Sequence, residues 1–191
     1  MFAEIWAKAV DTYRSPRKGA RMAIDEFDTF ERIALIFGLS FCINAVMLVL
    51  RSIALGEDVS GDGGIVFFVV GNLFASAFAF AIMVLLAYAI GRFLFGGKGE
   101  PWEVAAALAW HSLVTAPFAL VMNPFALMSE DVGGSAILSM ILVGVTLWLL
   151  VNFIAEAHRF SSAWKVAGVI FGALFLLGAL LPILLAGAIS G

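Results

Sequence analysis

Five long apolar runs, at residues 33–53, 65–95, 104–121, 136–155 and 166–189, constrain this chain more than any other feature. A helix rises ~1.5 Å per residue, so a run of about 20 residues crosses the ~30 Å hydrocarbon core of a bilayer. Backbone N–H and C=O groups find no water there, and a helix satisfies all of them within one segment. Composition agrees: 63% of the residues are hydrophobic and 13% charged, against roughly a quarter charged in soluble domains. The mean hydropathy is +1.06. The expected fold class is all-α, a polytopic membrane protein with a bundle of five transmembrane helices and a short amphipathic N-terminal cytoplasmic segment. Residues 1–32 form that leader, and residues 33–191 the five-helix transmembrane domain.

Charge placement sets the expected threading. Of the 11 Lys and Arg residues, Arg51 stands alone; the others lie in the leader, in the turn from Arg92 to Lys98, or in the turn from Arg159 to Lys165. The intervening loops at 56–64 and 123–135 carry acidic residues and neither Lys nor Arg. Positive charge gathers on the cytoplasmic side, which gives a cytoplasmic N-terminus, five spans and an outside C-terminus. In a prokaryote this is the inner membrane. The start of the chain lacks the pattern of a cleaved signal peptide, so the first span is expected to direct insertion. A single cysteine, Cys42, leaves no disulfide framework.

Within the leader, Phe2, Ile5, Trp6, Ala9, Val10 and Tyr13 recur at helical spacing and make one apolar stripe. Ser15-Pro16 ends that helix, and Arg17, Lys18 and Arg21 follow as a basic patch. Met22, Ile24, Phe27 and Phe30, interleaved with acidic residues, read as a second short segment. Such amphipathic pieces can lie on a membrane surface.

Residues 91–117 hold most of what is not simply lipid-compatible: a basic glycine-rich turn, a Pro101-Trp102 helix start, His111 and Pro117. His111 lies eight residues past Glu103, roughly 12 Å along the axis and below the headgroups. Together with Thr115, Asn44 and Asn72 it defines a candidate polar seam. The seam is either a path for protons or polar solutes, or a set of interhelical hydrogen bonds worth about 0.6 kcal/mol each. Proton paths usually contain carboxylates in the core, and these spans have none there.

At the end of the fourth run, Asn152, Glu156 and Arg159, joined by Arg92 if the two basic turns meet, form a candidate cytoplasmic-face site. The spacing of Glu156 and Arg159 suits an i,i+3 ion pair. Such residues bind a ligand or lipid headgroup, or anchor the helix at the interface. Gly71, Ala75 and Ala79, and separately Gly168 and Gly172, recur at four-residue steps as helix-packing faces do.

Enzyme signatures are missing. The 2 histidines, His111 and His158, sit on different runs and lack companion ligands, so neither a metal nor another cofactor is expected. Gly133-Gly134-Ser135 has no nearby histidine, and Gly96-Gly97-Lys98-Gly99 lacks the spacing of a phosphate-binding loop. No catalytic residue and no nucleic-acid partner is expected. The function read from these residues is that of a non-enzymatic membrane protein. It acts in the lipid bilayer through assembly with itself or with other membrane proteins. The alternative is a small transporter or channel built on the polar seam around His111.

Several motifs together carry a family likeness. They are Ser15-Pro16-Arg17-Lys18, Arg21-Met22-Ala23-Ile24-Asp25, the Gly96-Gly97-Lys98-Gly99 turn, and Ala109-Trp110-His111 leading to Ala116-Pro117. With them, nearly the whole chain resembles the Ypt-interacting-protein (YIP) domain family, especially its prokaryotic branch. The resemblance implies five spans after a cytoplasmic leader and a role in membrane organisation or trafficking. Eukaryotic relatives engage Rab-type GTPases and shape membranes. Their cytosolic Asp-Leu-Tyr-Gly-Pro signature is not here; Asp11-Thr12-Tyr13-Arg14-Ser15-Pro16 is only a distorted echo of it, with an extra residue and too far from the first span, a departure that sets GTPase engagement apart from the rest of what the resemblance implies.

Overall fold

A computed structural model describes residues 2–54, 64–128 and 132–172. Every described element is helical: α1 (Phe2–Arg14), α2 (Pro16–Glu26), α3 (Phe30–Ala54), α4 (Gly64–Ala89), α5 (Pro101–Met128) and α6 (Val132–Ala157). A π-helical turn at Ile90–Leu94 extends α4. A further helix, α7, begins at residues 164–172. Among the described residues three stretches are long and apolar enough to cross a membrane: Phe30–Leu50, Phe67–Leu94 and Ala136–Ala157. They coincide with the first, second and fourth apolar runs. Their large side chains, among them Leu35, Phe67, Phe74, Phe78 and Ile141, are exposed, as a lipid-facing surface requires.

Helix α5 is the hub of the bundle, in contact with α2, α3, α4 and α6. Val104, Ala106, Leu108, Ala109, Trp110 and Val114 on it are fully buried. Its small residues account for this. Ala106 and Ala109 let Ile33 of α3 come in close, while Trp110 fills the space opposite. Pro101 starts the helix, where its missing N–H is an orphan position anyway. Two residues on, Glu103 accepts the Glu100 N–H at 2.8 Å.

The 123–135 stretch, expected as a loop, is helical except at 129–131, because α5 continues through Pro117 and Pro124 to Met128 and α6 opens with Val132. In apolar surroundings a helix is the form that satisfies most backbone groups, and it overrides the breakers. Residues 129–131 lie outside the described residues, as do most of the 56–64 loop and of the fifth run.

The leader is built differently from a flat surface segment. Pro16 ends α1 and also supplies the first position of α2, so Arg17, Lys18 and Arg21 belong to a helix. The inner face of α2, Ala20, Ala23 and Ile24, is 0–1% exposed and shares one apolar core with Trp110, Val114, Leu149 and Phe153. α1 crosses α2 at Gly19, where an added Cβ would lie 2.7 Å from the Cβ of Thr12.

Candidate functional site

The leader and the two basic turns meet at one end of the bundle, and backbone geometry brings them together. After the π-helical turn the chain reverses at Gly96, whose φ of 65° is left-handed and suits glycine. Gly97 N–H then donates to Gly91 O at 2.8 Å, and Lys98 N–H to His158 O at 3.1 Å. The His158 side chain, 1% exposed, fills the space inside this turn. Its ring stacks on Phe160, with centroids 5.4 Å apart, and on Tyr88 at 6.5 Å. Nε2 lies 3.1 Å from Ala87 O, and since a carbonyl only accepts, the Nε2–H tautomer is the one that fits.

Three glycines wrap that ring. A Cβ on Gly97 would lie 2.6 Å from Nδ1, and one on Gly91 or Gly99 would overlap the imidazole or the Ala157 carbonyl. Nδ1 is the one fully buried side-chain polar atom without a hydrogen-bond partner among the described residues. Burial lowers the His158 pKa below the usual histidine value. The Ala87 bond and the Glu103 carboxylate oppose that shift, and the Arg92 guanidinium adds to it.

Ion pairs clamp the same end. The buried Glu103 carboxylate receives the Arg159 guanidinium at 2.7 Å. Arg159 itself has φ 58°, a left-handed backbone that non-glycine residues seldom adopt. Arg21 of α2 pairs with Glu156 at 2.9 Å, and Arg17 donates to Phe160 O at 2.9 Å. The i,i+3 pair of Glu156 and Arg159 therefore does not form. α6 stops at Ala157, and the turn beyond it sends Arg159 to α5 while leaving Glu156 to the leader. Arg92 reaches the Gly97 carbonyl at 3.3 Å. Asn152 bonds back to Trp148 O at 2.8 Å and joins none of these pairs. The structure thus gathers Glu156, Arg159 and Arg92 at one end, with Asn152 about one turn further along α6.

The residues of the polar seam are placed separately. His111 Nε2 meets Thr146 O of α6 at 3.2 Å, and its ring stands edge-on to Phe153 at 5.7 Å. Thr115 donates to His111 O at 2.8 Å, within α5. Asn44 donates to Ser40 O at 2.8 Å, within α3. Asn72 is half-buried on α4. Of these bonds only that of His111 crosses between helices.

Leader contacts that sequence reading did not pick out are better partnered. Trp110 Nε1–H donates to the buried Thr12 hydroxyl at 3.0 Å, and Thr12 in turn donates to Lys8 O at 2.7 Å. The Tyr13 hydroxyl donates to Val114 O, and its ring stacks on Phe118 at 5.9 Å. Burial raises the Tyr13 pKa. The signal for these contacts was a tryptophan inside an apolar run, whose indole N–H needs an acceptor.

Among the described residues the small-residue faces meet no neighbouring helix. A Cβ on Gly71, Gly168 or Gly172 would meet nothing within 4 Å, and Ala75 and Ala79 are exposed. Among the described residues no three His, Cys, Asp or Glu side chains are grouped to hold a metal ion.

Against known proteins, the family model described as Yip1 domain matches residues 10–185. That span takes in the α1–α2 elbow, both basic turns and α3 to α6. No curated protein and no solved structure matches significantly.

Proposed function

We propose that this chain, which belongs to the Yip1 domain family, is a non-enzymatic multi-pass membrane protein that works by assembling with copies of itself or with other membrane proteins. Its five apolar runs each span the bilayer in this reading. The leader and both basic turns face the cytoplasm, the C-terminus lies outside, and the membrane is the inner one if the source is prokaryotic. Membership of the family and the three membrane-length helices support the membrane setting.

One observation carries the assembly role: the small residues at helical spacing face away from the core formed by the described residues. On α4, Gly71 has open space beside it, while Phe67, Phe74 and Phe78 around it are 70–74% exposed. Small gaps between projecting rings form the surface that a second helix can enter. In lipid the hydrophobic effect gives helices no push together, and close backbone approach is what stabilises their association.

Gly168→Ile combined with Gly172→Ile tests this. A Cβ at either position meets nothing within 4 Å among the described residues, so the fold is expected to survive and a change in assembly reports on the face itself. Native mass spectrometry and crosslinking of the full chain should show loss of the higher-mass species. Unchanged oligomers would remove α7 from the assembly surface, and the same substitution at Gly71 applies the test to α4. Reporter tags found in one compartment at both termini would overturn the five-span threading.

A further inference from the structure

A groove of about 460 Å³ runs along the outer side of α4, between it, α6 and α7. Its walls include Ile82, Leu86 and Ile90 from α4, Ile154 from α6 and Val169 from α7, and Phe160 lies at its basic end. The lining extends along α4 from Phe78 to Gly91, roughly 20 Å of helix, enough to cross one leaflet, which is about 15 Å of a ~30 Å hydrocarbon core. The groove is open to the side and almost wholly apolar.

Its basic end differs. Arg92 follows the lining residue Gly91, and Lys165 precedes Val166 and stands one turn before Val169 on the same face of α7. Both cations are exposed. Lys8, Arg21, Arg32 and Arg159 each hold a carboxylate, whereas Arg92 and Lys165, like Arg14, Arg17, Lys18 and Lys98, have no carboxylate partner among the described residues; of these six, Arg92 and Lys165 are the two next to groove-lining residues. Arg92 also projects from a π-helical turn, a form found often at binding sites. An apolar groove long enough to cross a leaflet, with Arg92 and Lys165 adjoining its lining residues in the sequence, matches the charge and shape of a single phospholipid.

We propose that this groove holds one acyl chain of a glycerophospholipid whose anionic headgroup rests on Arg92 and Lys165. The acyl chain lies against α4 and α7, and the phosphate reaches both cations where the groove opens at the basic end. A headgroup with net negative charge is held over a zwitterionic one, because the latter brings its own cation to a site that already carries two. The proposal needs only that the chain is embedded in lipid; it does not depend on the assembly reading.

The test uses the full-length protein released from nanodiscs containing equal amounts of phosphatidylglycerol and phosphatidylcholine with identical acyl chains. Bound lipid is read by native mass spectrometry. Two basic side chains at a membrane surface should favour phosphatidylglycerol by about tenfold or more. Arg92→Gln with Lys165→Gln should bring the two lipids to near-equal retention. Leu86→Trp, at a position 56% exposed and on the groove wall, should lower retention of both. Equal retention by the unmodified protein would overturn the proposal. So would a preference that survives loss of both cations, or lipid binding unchanged by Leu86→Trp. All three side chains project outward, so native-like helix content is expected in the variants. If a variant fails that check, Arg92→Lys serves in its place and should keep the preference; losing it would count against the charge assignment.

Discussion

Replacing Gly91 with alanine adds one methyl group to the π-helical turn and drives it into the His158 ring. In an unobstructed helix the same change stabilises by about 0.5–1 kcal/mol. Here the ring has no room to yield. It is 1% exposed, stacked between Phe160 and Tyr88, and tied through Nε2 to Ala87 O at 3.1 Å. Turning it away breaks that bond and strands a buried donor, at a cost of about 1–3 kcal/mol. Moving the backbone instead is ordinary overpacking, again about 1–3 kcal/mol. Taking about 3 kcal/mol for so confined a site and subtracting the helix gain leaves a net loss of about 2 kcal/mol. Denaturant titration of the detergent-solubilised protein measures it, and a double-mutant cycle with His158→Ala assigns it. Once the ring is gone, Gly91→Ala should be neutral or stabilising, giving a coupling of about 2–3 kcal/mol. Additive effects in the cycle would refute the idea that glycine is required there to admit the imidazole.

Two further outcomes follow from the same end of the molecule. Thr12→Val keeps the side-chain shape but removes the acceptor of the buried Trp110 N–H; it should cost about 1–3 kcal/mol and speed protease cleavage within α1, and unchanged stability and cleavage would contradict it. Because burial holds the His158 pKa below its usual value, the unfolded chain takes up a proton that the folded chain does not. Stability should therefore fall as pH drops from about 7.5 through the unfolded value of about 6.5 towards the folded one. Glu103 and Arg92 face the ring with opposite effects, so the slope is read against His158→Phe, which should be shallower. Equal slopes would exclude His158 as the titrating group.

Which parts were legible in the sequence follows from what lipid demands of a chain. An unbroken apolar run is required of any lipid-facing helix, so α3, α4 and α6 could be read from hydropathy alone. Nothing in hydropathy separates a peripheral span from a central one, and the burial of α5 rests on its alanines and Trp110 meeting neighbours from other helices. Pro124 and Gly133-Gly134 read as loop because they break helices in water, and the apolar setting removes the competing hydrogen bonds. At the candidate site, the gathering of cations was visible and their partners were not. Spacing on a helix pairs Glu156 with Arg159 only while the helix lasts, and the left-handed turn at Arg159 ends it. His158 and its glycines are 59 to 67 residues apart in the numbering, so no local pattern could connect them.

The bonds that hold the leader impose an order on biosynthesis. Thr12 must wait for Trp110, 98 residues later, Arg21 for Glu156, 135 residues later, and Arg17 for Phe160, 143 residues later. At ~5–20 residues per second, the delay for the last of these is on the order of ten seconds. Until Trp110 and Val114 of α5 are made, the apolar side of the α1–α2 hairpin lacks its partners on that helix, and the membrane surface is the nearest place for it to rest. A nascent chain arrested before Glu156 has made neither the Arg21–Glu156 pair nor the Arg17–Phe160 bond.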